Sequence, residues 1–254
     1  MVGWFKKTGD NPSATQEAYT ILIDKQGLLS ALNLVYSVAA ASTVDILRGS
    51  LFRIKGNKLT LVATDGRRLV LVENDLLSSN VQQKDIFVPF QTLEEIKQYC
   101  ASADYSKISL IIKNKEISFE SGGSHRIGDA SQFPRYEQVI LPASGNKTNL
   151  DCSRFLWALK EIKQFADPKI PKIRLEIAEK QLIISTPDLK YRQALSVDYQ
   201  GPRFIMAFDT NLLADVLEKL PSGNEMISLE FYGHDKPITI RGKNYMCILL
   251  PMKL

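Results

Sequence analysis

The chain has 254 residues, of which 44% are hydrophobic and 24% are charged, and its formal net charge is +4. These values are typical of a soluble globular protein with one large domain or two of ordinary size. The net charge is too small to establish nucleic-acid binding and too small to exclude it. No apolar run reaches the roughly 18 residues that a membrane-spanning helix needs.

The cysteines and histidines exclude two kinds of small-protein scaffold. Three cysteines and two histidines lie far apart in the sequence, which excludes a disulfide framework and a sequence-local zinc site. An odd number of thiols without a secretory signal predicts a reducing, cytoplasmic location. Residues 1–18 are predicted to form a flexible leader. The alternative is a short tail that reaches a neighbouring subunit or a membrane surface through Trp4 and Phe5.

Taken in chain order, the predicted elements occur twice. The first half predicts a helix over Gly27–Ala41, then strands, a second helix over Leu93–Ser102 and further strands. The second half repeats this order, with helices over Cys152–Phe165 and Leu212–Leu220. Helix pairs that alternate with antiparallel strands predict an α+β fold, in which two helices pack on antiparallel sheet in each half.

Three segments of the first half resemble segments of the second. The pairs are KLTLVATD with QLIISTPD (58–65 and 181–188), IFVPFQTL with FIMAFDTN (86–93 and 204–211), and ISL with ISL (108–110 and 227–229). In the middle pair a strand runs into a helix, whose predicted cap is Thr92 in one half and Asp209 or Thr210 in the other. These pairs predict a tandem copy of one domain, and chance similarity between short strands is the alternative.

The turn-rich stretch at residues 142–147 marks the predicted boundary between the copies. The predicted domains are therefore residues 19–146 and 147–254.

The sequence contains no motif that predicts catalysis, a metal site or a cofactor. Thr64–Arg68 follows a predicted strand and contains Asp-Gly, which indicates a turn. Arg67 and Arg68 either hold a carboxylate or a phosphate, or they are solvated. A binding or scaffold role is favoured over a hydrolase that uses Asp65 or His125, so the protein is predicted not to be an enzyme.

Two other segments carry binding hypotheses. The chain ends on apolar residues, and a buried strand is predicted over Cys247–Leu250. A buried strand explains residues 251–254 less well, so the more specific hypothesis for them is the rim of a peptide-binding site. Six basic residues cluster on and after the first helix of the second copy, where they face either phosphates or solvent. These residues are Arg154, Lys160, Lys163, Lys169, Lys172 and Arg174.

Three motifs, in this order and on a duplicated domain, resemble the family of bacterial DNA polymerase III β sliding clamps. They are VATDGRRL at 62–69, FPRY at 133–136 followed by Val139 and Leu141-Pro142, and LPMKL at 250–254. The resemblance covers about Tyr19 to Leu254. It looks like the middle and last of the three domains in that family, with the first domain absent.

The resemblance implies a ring of similar domains whose helices line a hole that duplex DNA threads. It implies no catalysis, but a tether for the replicative DNA polymerase, the clamp loader and proteins with short clamp-binding peptides. Six domains close a ring as three chains of two, which predicts a homotrimer. The alternative is a clamp-derived interaction protein, or decoy, that binds partner peptides without encircling DNA.

The resemblance also implies site residues. A partner-peptide pocket between the two copies is formed by Leu47, Thr64, Gly66, Arg67, Arg68, Leu69, Pro134, Gln138, Val139, Ile248, Leu250, Pro251, Met252, Lys253 and Leu254. The predicted DNA-facing cations are Lys25, Arg154, Lys160 and Lys163. Three positions depart from the residues usual in the family, which are His, Asp and Arg in turn: Arg67, Arg135 and Lys253. Residues 39–46 are apolar and acidic, where the family tends to be basic and aromatic near DNA.

Overall fold

The computed structural model describes residues 18–120, 122–220 and 226–254. The predicted leader lies outside these ranges except for Ala18, which opens the first strand. Within them, no helix combines the length and the apolar character that crossing a membrane requires.

The first copy, as far as the structure describes it, consists of eight strands and two helices. Strand β1 (Ala18–Asp24) runs directly into helix α1 (Lys25–Ala41), and helix α2 (Phe90–Ser102) follows four more strands. The remaining bounds are β2 (Gly49–Lys55), β3 (Lys58–Thr64), β4 (Arg68–Ser79), β5 (Gln83–Pro89), β6 (Lys107–Lys113), β7 (Glu116–Phe119) and β8 (Ser124–Arg126).

The second copy repeats this order element for element. Strand β9 (Lys147–Asp151) runs into helix α3 (Cys152–Lys163), and helix α4 (Thr210–Glu218) again follows four strands. The other bounds are β10 (Lys172–Ala178), β11 (Gln181–Ser185), β12 (Arg192–Ser196), β13 (Phe204–Asp209), β14 (Met226–Phe231), β15 (Ile238–Arg241) and β16 (Tyr245–Leu249). The repetition confirms the predicted duplication and the α+β fold.

The two copies share one sheet. Its strand order is β8-β7-β6-β1-β4-β16-β15-β14-β9, and strands β3, β2 and β5 branch from β4. The copies join where β16 pairs antiparallel with β4, which places Tyr245 opposite Val72 and Ile248 opposite Leu69. The other strands form a four-stranded sheet in the order β12-β11-β10-β13. The joint between β4 and β16 positions the site described below.

The helices pack on the sheets through apolar stripes. Apolar side chains recur at the spacing of helical turns, so each helix buries one face. The buried stripe of α1 includes Leu28, Leu32, Val35 and Ala39, and that of α3 includes Phe155, Leu159 and Ile162. The buried apolar residues of both copies form one contiguous core. The two copies are therefore joined by packing in this core as well as by the shared sheet.

Aspartates at the ends of strands start three of the four helices in the described ranges. Asp24 accepts a hydrogen bond from the Gly27 amide at 2.8 Å, and Asp209 caps α4 as predicted. Helices α1, α2 and α4 begin two or three residues earlier than predicted, whereas α3 begins at Cys152 as predicted.

The prediction that Thr92 caps the second helix was wrong. Helix α2 begins at Phe90 directly after Pro89 and has no side-chain cap. Thr92 lies in the first turn, where it is buried and donates its hydroxyl to the carbonyl of Arg126 at 2.8 Å. The proline ends the strand and fixes a backbone angle that suits a helix start, so no cap is needed to begin the helix.

Candidate functional site

An open groove of about 440 Å³ lies where the two copies meet. Its floor is the joint between β4 and β16, and the turn between β3 and β4 forms one wall. The segment that connects the copies forms another wall, and the β14–β15 hairpin reaches it from the side. The groove is lined by Leu47, Thr64, Gly66, Arg67, Arg68, Leu69, Pro134, Arg135, Tyr136, Val139, Leu141, Lys236, Pro237, Ile248 and Leu250.

Local hydrogen bonds fix the turn between β3 and β4. The Asp65 carboxylate accepts from the amides of Arg67 and Arg68, both at 2.9 Å. Thr64 donates its hydroxyl to the carbonyl of Arg68 at 2.8 Å. Gly66 has a φ of +84°, a left-handed conformation that favours glycine. The prediction of a turn here is confirmed, and the turn holds two arginines beside the groove.

A small apolar cluster supports the floor of the groove. Its members are Leu51, Val62, Leu69, Phe133, Tyr136, Met246 and Ile248. Above this cluster the apolar side chains of Val139 and Leu250 line the groove and stay 50% and 49% exposed. The groove therefore offers apolar surface on a packed base to a molecule that fits into it.

Arg68 is buried and joins the two copies, so of the two alternatives that the sequence left open it holds carboxylates and is not solvated. Its guanidinium donates to Asp65 at 3.0 Å and to Asp215 on α4 at 2.6 Å. It also donates to the carbonyl of Leu212 at 3.2 Å. The carboxylates that Arg68 holds belong to the protein itself, because the fold brings α4 against the end of β4.

Asp215 is the acidic partner in this network. Burial alone would raise the pKa of its carboxyl group, but hydrogen bonds and charge from Lys219 and Arg68 outweigh burial and lower the pKa below its usual value. Asp215 is therefore ionised at neutral pH, and the Arg68 contact is an ion pair.

Arg67 lies beside Arg68 but faces solvent. Its side chain is 62% exposed, and its guanidinium contacts Asp209 at 3.1 Å. Asp209 uses its other carboxylate oxygen to cap α4. Arg67 is thus a partly neutralised cation at the edge of the groove.

The structure brings most of the predicted pocket residues together. Those that line the groove are Leu47, Thr64, Gly66, Arg67, Arg68, Leu69, Pro134, Val139, Ile248 and Leu250. Gln138 instead lines an adjacent depression that contains Arg53 and its partner Asp85. Gln138 belongs to a short 3-10 helix at residues 136–139, of which Tyr136 and Val139 line the groove.

The last four residues lie outside the groove lining. Met252 donates its amide to the carbonyl of Ala207 on β13 at 2.8 Å, and the carbonyl of Lys253 accepts from Lys172 at 3.1 Å. These contacts draw the end of the chain along the second copy. Leu254 is 67% exposed and Pro251 follows the groove residue Leu250.

Sequence reasoning missed five residues of the groove. They are Arg135, Tyr136, Leu141, Lys236 and Pro237. Three of these lie in or beside the motifs at 133–142, so that segment signalled them. Lys236 and Pro237 lie on the hairpin between β14 and β15, and only the sheet order brings that hairpin beside β4.

The predicted DNA-facing cations differ in whether other groups of the chain already contact them. Arg154 and Lys163 on α3 are exposed, and neither side chain has an ionic partner among the described residues. Lys160 pairs with Glu218 at 2.7 Å. Lys25 donates to the carbonyl of Ala103 at the end of α2 at 2.8 Å. The geometry therefore leaves two of the four cations available for another charge.

The wider basic cluster is also partly neutralised. Arg174 pairs with Glu176 at 2.6 Å, and Lys172 contacts the carbonyl of Lys253. These contacts exclude the interpretation of the six residues as one uniformly free basic face.

The residues of the hydrolase hypothesis have structural roles. The side chain of Asp65 is only 2% exposed and binds two backbone amides as well as Arg68. His125 lies on β8 with its Nδ1 atom 2.6 Å from Glu95.

The comparisons with known proteins agree with this architecture. The fold matches solved bacterial sliding clamps: a DNA polymerase III subunit beta from Pseudomonas aeruginosa superposes with a TM-score of 0.82 at 20% identity, over 98% of this chain and 69% of that one. The beta sliding clamp of Synechocystis is 24% identical over 253 aligned residues, which cover 90% of this chain and 63% of the relative. That of Chlamydia pneumoniae is 22% identical over 225 residues, covering 86% and 60%.

The fold of this chain, two tandem domains on one shared sheet, is thus that of the DNA sliding clamps. Residues 24–129 match the central domain of the DNA polymerase III beta subunit, and residues 138–250 match its C-terminal domain. The chain belongs to the DNA polymerase III beta subunit family, whose members are non-enzymatic processivity factors. It spans about 60% of the length of the curated relatives that it matches.

Proposed function

We propose that this chain acts as a DNA sliding clamp, which encircles duplex DNA as part of a ring in the cytoplasm. In this role it tethers the replicative DNA polymerase, the clamp loader and other proteins that carry short clamp-binding peptides. The observation that carries the proposal is the apolar groove at the joint of two family domains. A tether of this kind raises the effective concentration of a bound enzyme near its template.

The dimensions and chemistry of the groove fit a short peptide. A volume of about 440 Å³ lies within the roughly 300–1,000 Å³ that is usual for ligand sites. Half-exposed Val139 and Leu250 offer contacts for the aliphatic and aromatic anchors of such a peptide. The buried Arg68 network and the apolar cluster that contains Leu69 keep the site formed before a partner binds, so little ordering is needed on binding.

Fluorescence anisotropy with a labelled peptide that carries leucine and phenylalanine anchors tests the groove. Covering half of a Leu or Val side chain contributes about 1 kcal/mol, so Leu250→Ser and Val139→Ser each weaken binding about fivefold. Val44→Ser is the matched control, because Val44 is 49% exposed and lies outside the groove lining. Equal losses for the control and the groove variants would contradict the proposal.

The joint between the copies supports a proposal for the contact that builds the ring. Strands β4 and β12 hold the same place in the two copies, and so do β8 and β16. Inside the chain, β4 pairs with β16. The equivalent contact between chains joins the edge of β12 to the edge of β8 in a neighbour, and both edges are unpaired within the described residues. Repetition of one contact closes a ring when the rotation fits.

An apolar patch beside the edge of β12 supports this contact. Phe165 and Tyr191 stack with their ring centroids 3.8 Å apart and are 50% and 45% exposed. Leu189, three residues before the start of β12, adds further exposed apolar surface. Exposed aromatic clusters next to an unpaired sheet edge are typical of protein interfaces. We propose three chains of the present sequence in a ring, as a homotrimer.

Light scattering after size-exclusion chromatography tests this assembly. The homotrimer has three times the 28.6 kDa mass of the chain. A Phe165→Ser/Tyr191→Ser double variant shifts the mass to one chain, whereas Val44→Ser does not. A wild-type chain that stays monomeric and still binds the peptide would instead identify a clamp-derived interaction protein that encircles nothing.

A further inference from the structure

The lining of the groove carries an uneven set of charges. Among the residues that the structure describes, the lining includes four cationic side chains, Arg67, Arg68, Arg135 and Lys236, and no aspartate or glutamate. The four cations differ in how far carboxylates of the chain already neutralise them, and this difference determines what charge the groove presents.

Two of the cations have anionic partners. Buried Arg68 is neutralised by Asp65 and Asp215, so it contributes little charge to an incoming molecule. Arg67 has one contact, to Asp209 at 3.1 Å, and most of its guanidinium faces solvent. Arg67 is therefore a cation that can accept a second carboxylate.

The other two cations are free. Arg135 and Lys236 are exposed, and within the described ranges neither side chain contacts a carboxylate. Glu137, the acidic residue near Arg135, forms an ion pair with Arg53 instead. Arg135 lies on the segment that connects the copies and Lys236 on the hairpin of the second copy, so positive charge lines the groove from two elements.

We infer that the groove selects peptides in which acidic residues accompany the apolar anchors, and that Arg135 and Lys236 determine this selectivity, with Arg67 as a third contributor. The inference rests on the proposed peptide groove. An apolar floor binds leucine or phenylalanine of any peptide, whereas the unpaired cations favour a carboxylate and repel a lysine. Exposed charge pairs contribute modestly, so the preference for two acidic residues is about tenfold at low salt.

Three labelled hexapeptides test the inference by anisotropy. They share the leucine and phenylalanine anchors and differ only in two positions, which hold aspartate, asparagine or lysine. The aspartate peptide binds wild-type protein about tenfold more tightly than the asparagine peptide, and the lysine peptide binds most weakly. The preference falls to less than twofold at high salt, because exposed charges are screened.

Two double variants distinguish the effect of the groove cations on peptide preference from the effect of the overall charge of the protein. In Arg135→Gln/Lys236→Gln the preference for the aspartate peptide over the asparagine peptide falls to less than threefold. Lys55→Gln/Lys113→Gln is the matched control, since it removes the same charge at exposed strand ends outside the groove, and it retains the full preference.

The outcomes also separate this inference from the proposed function. If the aspartate and asparagine peptides bind wild-type protein equally well, the inference is overturned and the peptide groove stands. An equal drop in preference in both double variants also overturns the inference. If no peptide binds, the groove proposal fails together with the inference.

Discussion

Replacing Arg68 with methionine is predicted to destabilise the joint between the two copies. Methionine keeps much of the length of the side chain but removes the guanidinium that links Asp65 at the turn to Asp215 on α4. Asp65 is only 2% exposed, so its carboxylate would lose its cation where water cannot replace it. Asp215, at 26% exposure, would keep Lys219 as its one cationic partner within the described part of the chain.

The size of the destabilisation depends on the carboxylate that stays buried without its cation. Removing one partner of a buried ion pair costs about 3–5 kcal/mol in the free energy of unfolding. For a chain of this size, that lowers Tm by about 6–20 °C. Arg67→Met, one residue away, removes a guanidinium whose side chain is 62% exposed, and it costs at most about 1 kcal/mol.

Urea denaturation followed by circular dichroism measures both variants, and acidification gives a second readout. The folded-state pKa of Asp215 is lowered below its unfolded value. Its contribution is therefore fully present above the unfolded pKa, near 4, and is lost as pH falls through the folded pKa. The penalty of Arg68→Met should shrink below about pH 4. If Arg68→Met is no more destabilising than Arg67→Met at pH 7, the account of the joint is refuted.

Three other predictions concern single contacts. Glu230 is buried against Arg241 and Tyr232, and its pKa is lowered because these hydrogen bonds outweigh burial; Glu230→Gln should therefore flatten the loss of stability on acidification, measured by thermal melting, and an unchanged slope would count against it. Asp209→Ala should lower the free energy of unfolding by about 1 kcal/mol in urea titrations, whereas Asp209→Asn lowers it by a few tenths because asparagine still caps α4. Similar losses for both variants would show that Asp209 acts through its ion pair with Arg67 and not as a cap. Arg154→Ala and Lys163→Ala should each reduce the slope of log K against log salt for DNA by about 1, while Lys160→Ala, whose side chain pairs with Glu218, reduces it less.

Much of the fold could be predicted because its signals are local. The apolar stripe of α3 and the strand motifs that end at Asp65 and Asp188 are read from neighbouring residues, and their repetition identified the tandem copy. Element starts were less accurate, since strands run straight into helices without a loop. The wrong cap at Thr92 arose because Pro89 alone starts α2.

The site was only partly predictable, because its remaining features depend on contacts between distant residues. Arg68 is buried by Asp215, which lies 147 positions away, and no local pattern connects them. Met252 pairs with Ala207 on β13, which moves the end of the chain away from the groove wall. Lys236 joins the groove only because β14, β15 and β16 are neighbours in the shared sheet.

Topological binding to DNA is the central claim, and retention on end-blocked DNA tests it most directly. The protein is incubated with linear duplex DNA that is biotinylated at both ends, and streptavidin is added before the protein, after the protein or not at all. Size-exclusion chromatography in high salt then removes protein that is held only by charge. Encirclement predicts retention when the ends are blocked after binding, and loss when they are left open or blocked beforehand. Equal retention in all three samples, or none in any, would contradict the account.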